Sequence, residues 1–230
     1  MSVLIITHIT FFNTKINKKY FRFLPEKRRE KIYTYRKSED RIRCYAAGLS
    51  GIAAASLLLD TSPENIDLIS EEWKAPYAVS GNGEKIYLSI SHSGSFVLCA
   101  ADTLPCGADV EQIRNIPDLT DIAQRIFHKK EVIRLTASPD LYDSFFRLWT
   151  LKEAYLKYLG TGLSRKLSSF SLYQDNLRIQ IDDPINTAAS SVFFSSWAEN
   201  DYRFGLAAHN NTPQQIRFTL DELEKYFEQR

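Results

Sequence analysis

Residues 105–162 read PCGADVEQIRNIPDLTDIAQRIFHKKEVIRLTASPDLYDSFFRLWTLKEAYLKYLGTG. The stretch opens with a short β-rich run at 107–111. Helical patterns follow at 118–127, 129–137 and 141–159, and Gly160-Thr161-Gly162 stops the last of them. Glycine just past a helix tolerates the left-handed turn that ends it. The N-terminal part predicts the same order. Residues 3–9 are β-rich, 25–36 begin with Pro-Glu as a helix start does, and 39–59 form a longer apolar-periodic helix closed by Asp60 and a Thr-Ser-Pro turn. Ser80-Gly81-Asn82-Gly83 marks a turn, and strands at 87–91 and 96–101 are joined at His92-Ser93-Gly94. Residues 170–218 are strand-like again, and 221–229 read as a closing helix. The order strand, helices, strands therefore occurs twice. It predicts an α/β (α+β) chain of two similar lobes, residues 1–104 and 105–230, meeting near 104–107.

Composition permits this. The chain has 230 residues, 44% hydrophobic and 13% aromatic, enough to build a core in each lobe. No apolar run approaches the roughly 20 residues of a membrane span. The start, MSVLIITHIT, lacks a basic leader and a small-residue cleavage site, so it reads as a first strand rather than a signal peptide. Cys44, Cys99 and Cys106 are an odd number without metal-ligand spacing, which points to reduced thiols and a cytoplasmic protein.

Net charge is only +1, yet residues 15–43 hold twelve Lys or Arg against four acids. Two readings stand: a solvated helical face, or a phosphate-binding patch. Tyr20, Phe21, Phe23, Tyr33 and Tyr35 interleave with the charges and could stack bases. The rest of the chain is acidic, however, which argues against broad contact with a nucleic-acid backbone.

The residues that carry chemistry lie mostly in the opening stretch. Asp109 and Glu111 are two apart, so on a strand both side chains take the same face. Two carboxylates together call for a cation or a proton unless both are solvated. Trp149, Glu153 and Lys157 are spaced by four and form one stripe on the longest helix of this part. The stripe reads either as a core tryptophan beside an ordinary ion pair, or as a site. Lys152 points about 100° away from Glu153. Ser91-His92-Ser93 is compatible with a structural turn histidine or with contacts to phosphate oxygens. No G-x-S-x-G, no H-E-x-x-H and no Gly-rich phosphate loop occurs, which excludes the common serine hydrolase, zinc protease and nucleotide kinase patterns. Three carboxylates without histidine or thiol suit a hard cation, Mg²⁺ or Mn²⁺.

Taken in order, these segments resemble the Sfp-type 4′-phosphopantetheinyl transferases, the larger, pseudo-dimeric class of that superfamily. Gly107-Ala108-Asp109-Val110-Glu111 is similar to the family's G-x-D-x-E. Residues 149–157, WTLKEAYLK, are similar to its W-x-x-K-E-x-x-x-K, and Ile90-Ser91-His92-Ser93 to its upstream S-H-S segment. The basic region from Pro25-Glu26-Lys27-Arg28 to Arg43 matches as well. Lys74-Ala75-Pro76-Tyr77 departs from the K-P motif by one inserted residue. The resemblance implies two lobes related by a pseudo-twofold axis, with a coenzyme A cleft between them. It implies Mg²⁺ on Asp109, Glu111 and Glu153, with Asp109 also facing coenzyme A. Lys157 would contact the pyrophosphate, and Ser91 and His92 phosphates of the nucleotide half. Arg28, Lys31 and Arg43 are candidates for the 3′-phosphate, and Lys74 for the adenine or ribose.

The implied reaction moves the 4′-phosphopantetheine arm of coenzyme A to a serine of an apo acyl or peptidyl carrier protein. Glu153 is the expected base, directly or through a metal-bound water, and Lys157 its catalytic partner. The carrier would dock near Arg125, Phe127, Lys129 and Lys130, with Phe127 alternatively a core residue. Neither a nucleic-acid nor a membrane partner is expected, and two lobes in one chain allow a monomer. The competing reading is a catalytically silent coenzyme A- or nucleotide-binding protein of the same fold.

Overall fold

The computed structural model describes residues 2–12, 14–71, 75–209 and 213–230. The chain divides into two compact units, Met1–Cys106 with Thr212–Arg230, and Gly107–Asn211.

In the first unit, strands β1 (Val3–His8), β2 (Ile66–Ile69), β3 (Tyr77–Ser80), β4 (Lys85–Ser93) and β5 (Phe96–Asp102) join β11 (Gln214–Thr219) in one sheet, ordered β11-β1-β5-β4-β3-β2. Helix α1 (Glu26–Thr34) and the long α2 (Ser38–Leu59) accompany it. From Cys44 to Ser56, α2 is buried throughout. Its small residues let the sheet come close: a methyl at Gly51 would stand 3.2 Å from Ile90 Cδ1. The sequence showed no membrane-length apolar run, yet α2 is long and apolar enough to cross a membrane by length and composition. Here 78% of its apolar window is buried inside the unit, because the apolar side chains pack on all sides of the helix.

The turn expected at His92-Ser93-Gly94 falls later. His92 and Ser93 belong to β4 and pair with Val97 and Phe96 of β5. Gly94, with φ of 49°, supplies the left-handed residue of the turn.

The lobe boundary is also different from 105–230. Strand β11 pairs in parallel with β1, Ile5 opposite Ile216. Helix α6 (Leu220–Gln229) buries Leu220, Leu223 and Phe227 in the first unit's core. The hydroxyls of Tyr45 and Tyr20 donate to Glu224 and Glu228, each at 2.6 Å. Strand β1 would otherwise be a sheet edge beside β5, and the C-terminal segment covers it.

The second unit carries β6 (Gly107–Gln112), helices α3 (Leu119–Ile126), α4 (Lys129–Thr136) and α5 (Leu141–Leu159), the hairpin β7 (Ser171–Asp175) and β8 (Arg178–Asp182), then β9 (Phe193–Glu199) and β10 (Tyr202–Ala208). Its sheet runs β6-β10-β9, all antiparallel, and β7-β8 forms a separate pair. Helix α5 spans the residues its periodicity predicts. Asp140 caps its start by accepting from Asp143 N, and Gly160, with φ of 66°, ends it.

Candidate active site

Strand β6 sets the first half of the site. Asp109 lies opposite Gly205 and Glu111 opposite Arg203 in the β6–β10 ladder. Period-2 alternation puts Gly107, Asp109 and Glu111 on one face. That face lies against α5 at very close range. A methyl at Gly107 would stand 1.8 Å from the Ala154 carbonyl oxygen, and one at Gly205 would stand 2.6 Å from that of Thr150. The first glycine of the G-x-D-x-E run is thus a packing requirement. Without side chains at these two positions, the α5 backbone rests on the sheet backbone, and residues one and two turns along the helix reach the carboxylates.

Lys157 makes the contact directly. Its Nζ donates to Asp109 Oδ1 at 2.7 Å and to the Ala108 carbonyl at 3.1 Å. The Asp109 side chain is only 6% exposed and that of Lys157 28%. Glu153 sits one turn earlier on α5. Burial, with Asp109 and then Glu111 adding like charge, pushes its carboxyl above the usual carboxylate range, against the opposing pull of Lys157. Its Oε1 is buried and has no hydrogen-bond partner among the described residues. Glu111 pairs with Arg114, Nη1 to Oε2 at 3.2 Å. Arg114 also lies over the Phe146 ring. Asp109, Glu111, Glu153 and Lys157, named from sequence, are therefore neighbours, and Lys157 pairs with Asp109 of β6.

Trp149 takes the packing role of the two readings. It stacks on Phe145 at 6.1 Å and meets the Phe127 edge at 6.5 Å. Phe127 is 2% exposed, which removes it as a docking contact. Its neighbours Arg125, Lys129 and Lys130 are exposed, and so is Ile133, at 70%.

The partners of three charged residues on or beside these elements were not legible. Arg114 follows β6 in a loop, where no periodicity places it. Glu131 and Lys152 form an ion pair at 2.7 Å with exposures of 1% and 0%. Lys152 also donates to the Phe170 carbonyl at 2.8 Å, and Glu131 accepts from Leu172 N and His128 N. Burial drags the Lys152 pKa down to about 8 despite the adjacent Glu131. The only sequence signal was a lysine set about 100° off the charged stripe, on a helix face that is otherwise apolar.

In the first unit, Arg43 of α2 donates to Asp40 at 2.5 Å and to the Gly94 carbonyl at 2.9 Å. The basic helix and the Ser-His-Ser strand end, 51 residues apart, thus converge. The Arg43 hydrogen bond, outweighing burial, lowers the Asp40 pKa, and Lys37 and His92 add smaller pulls. Arg28 is turned inward: Nη1 donates to the Cys44 carbonyl at 3.1 Å, and Nε is buried without a partner among the described residues. Lys31 is exposed on α1. Lys74 lies outside the described residues.

Among the described residues, no group of three His, Cys, Asp and Glu side chains is gathered as a ready metal cage. The donor set nevertheless fits a hard divalent cation. Three like-charged carboxylates cluster, and one carries a buried oxygen with no partner among the described residues. A carboxylate cluster with the Lys157 ammonium on its border is the arrangement expected of α/β proteins that act on phosphate esters.

Comparison with known proteins agrees. The 4′-phosphopantetheinyl transferase superfamily pattern matches residues 105–214. The chain is 34% identical over 185 residues to a 4′-phosphopantetheinyl transferase of Bacillus subtilis, covering 79% of this chain and 80% of that one. It is 29% identical over 206 residues to the 4′-phosphopantetheinyl transferase Sfp of Bacillus subtilis strain 168, covering 87% and 89%. A holo-[acyl-carrier-protein] synthase structure from Neisseria meningitidis overlaps 45% of this chain and 94% of its own at 19% identity, with a TM-score of 0.39, too slight a likeness to carry a functional argument. This chain belongs to the 4′-phosphopantetheinyl transferase superfamily, among its Sfp-type members.

Proposed function

We propose that this transferase moves the 4′-phosphopantetheine arm of coenzyme A to a serine hydroxyl of an apo acyl or peptidyl carrier protein, with Mg²⁺ required. The observation that carries the reading is Glu153. It is a partly buried carboxylate with raised basicity, set one helical turn from Lys157 and beside Asp109 and Glu111.

The serine oxygen attacks the β-phosphorus of coenzyme A. A new O–P bond forms, the pyrophosphate bridge breaks, and 3′,5′-ADP leaves. Glu153 takes the serine proton, directly or through a water. Lys157 offsets charge gathering on the phosphate oxygens. Asp109, Glu111 and Glu153 would hold Mg²⁺, which supplies charge neutralisation at the phosphates. Ser91, His92, Arg43 and Lys31 remain the proposed contacts to the nucleotide phosphates. Arg28 is a weaker proposal, because its guanidinium is already engaged by the α2 backbone.

The carrier is proposed to dock on the exposed cations Arg125, Lys129 and Lys130, with exposed Ile133 as the apolar contact in place of Phe127. Work in the cytoplasm is proposed from the three free, buried thiols. Burial pushes those of Cys99 and Cys106 up, Cys99 to about 12, which keeps them unreactive.

The test is a mass measurement. Purified chain, coenzyme A, Mg²⁺ and an apo carrier should yield a phosphopantetheine adduct on the carrier. Glu153→Gln should slow transfer at least about 100-fold with an unchanged circular dichroism spectrum. Failure to modify any of several carriers would favour the silent binding protein instead. Charge reversal at Lys129 and Lys130 should raise the carrier KM and leave that for coenzyme A alone.

A further inference from the structure

Asp109 is almost wholly buried, and a buried carboxylate needs a counter-charge. The chain provides one. Lys157 Nζ holds Asp109 Oδ1 at 2.7 Å and is steadied by the Ala108 carbonyl at 3.1 Å. Arg114 does the same more loosely for Glu111, from a side chain that is 58% exposed. Glu153, the third carboxylate, has a buried oxygen with no partner among the described residues. The cluster is thus already partly neutralised by residues of the chain itself. A divalent cation binding Asp109 meets an ammonium on the same carboxylate, and two cations at that range repel.

We propose that Lys157 and the divalent cation compete for Asp109, so that the lysine is a placeholder that passes from carboxylate to phosphate as the metal takes its position. This rests on reading the three carboxylates as the cation's ligands. Lysine suits the task. Its charge sits on a flexible four-carbon stem, and the side chain is 28% exposed. Once displaced, the ammonium is unpaired at the border of the site, where an anionic ligand gains a contact. The converse holds by linkage: a phosphate that draws Lys157 away opens Asp109 to the cation. One side chain thereby couples cation binding to coenzyme A binding, and the cation alone binds weakly.

Mn²⁺ is the probe, titrated into the full chain and followed by electron paramagnetic resonance, with and without saturating coenzyme A. Wild type should bind Mn²⁺ weakly alone and more tightly with coenzyme A. Lys157→Met should bind Mn²⁺ alone roughly tenfold more tightly, and its gain from coenzyme A should shrink by a similar factor. Lys157→Arg, which keeps the charge, should stay near wild type without coenzyme A. If folded Lys157→Met binds Mn²⁺ alone no better than wild type, the competition is refuted while the metal site stands. Asp109→Asn separates the two ideas: if it binds Mn²⁺ as wild type does, the carboxylate site itself is wrong, and the competition falls with it.

Discussion

Lys152 and Glu153 are adjacent on α5, and one residue step of about 100° sends them to opposite surroundings. Glu153 joins the carboxylates of β6. Lys152 is sealed between α4 and β7, with Glu131, the Phe170 carbonyl and the Phe170 ring as its polar and aromatic contacts. Removing one partner of such a pair leaves a buried charge behind, which costs more than the pair contributes. Lys152→Met should therefore lower unfolding free energy by about 3 kcal/mol, read from the urea midpoint. Transfer per folded molecule should hold, since the side chain points away from the acids. An unchanged midpoint would show that the pair does not tie α4 to α5. A large fall in turnover without loss of stability would move Lys152 into the site.

At the scale of elements, the site depends on how closely α5 lies on β6 and β10. The α5 span, its Gly160 stop and the shared face of Asp109 and Glu111 were all legible, because periodicity and turn chemistry are local properties. The closeness of the contact was not. It is set by two backbones meeting at Gly107 and Gly205, and no pattern within either segment announces the other. Gly107→Ala would drive a methyl into the Ala154 carbonyl and push the helix off the strand. The expected result is a loss of several degrees in Tm together with weakened Mn²⁺ binding, as Lys157 and Glu153 move away from Asp109. A variant with normal Tm and binding would show that α5 can shift freely.

The loop after β8 is held in a different way. Burial raises the Asp183 pKa, but hydrogen bonds from Arg165, Tyr155 and the Ile185 and Asn186 amides outweigh it and bring the value down to about 2. A carboxyl depressed by folding stabilises the native state above its unfolded pKa, near 3.9, and loses that contribution as pH falls toward 2. Wild type should lose stability steeply between about pH 4 and pH 2. Asp183→Asn should be less stable at pH 7 and flatter across that window, as followed by thermal melts. Equal slopes in the two proteins would remove Asp183 from the acid transition.

At the scale of the whole molecule, the first unit is discontinuous in sequence, and its last pieces arrive after the second unit is complete. The repeated order of strand, helices, strands set the expected boundary between residues 104 and 105, but it could not show the C-terminal return. Strand β11 alternates weakly, and its partner β1 is about 200 residues away, so the pairing leaves no local trace. The physical sign appears only in three dimensions. Strand β1 has β5 on one side, and β11 covers the other. Leu220, Leu223 and Phe227 of α6 are 4% exposed or less, and Tyr45 and Tyr20 send buried or half-buried hydroxyls to Glu224 and Glu228. Each apolar side chain of this size contributes about 1.5–3 kcal/mol when buried. Together they amount to roughly 5 kcal/mol or more, comparable with the whole stability of many domains. Deleting residues 213–230 should consequently unfold the first unit, seen as rapid tryptic cleavage within 1–106 and loss of coenzyme A binding. A milder variant, Phe227→Ala, should cost about 3–4 kcal/mol and leave the Mn²⁺ affinity of the second unit unchanged. If the deletion melts like wild type and resists trypsin, β11 and α6 are dispensable, and the first unit closes on residues 1–106 alone.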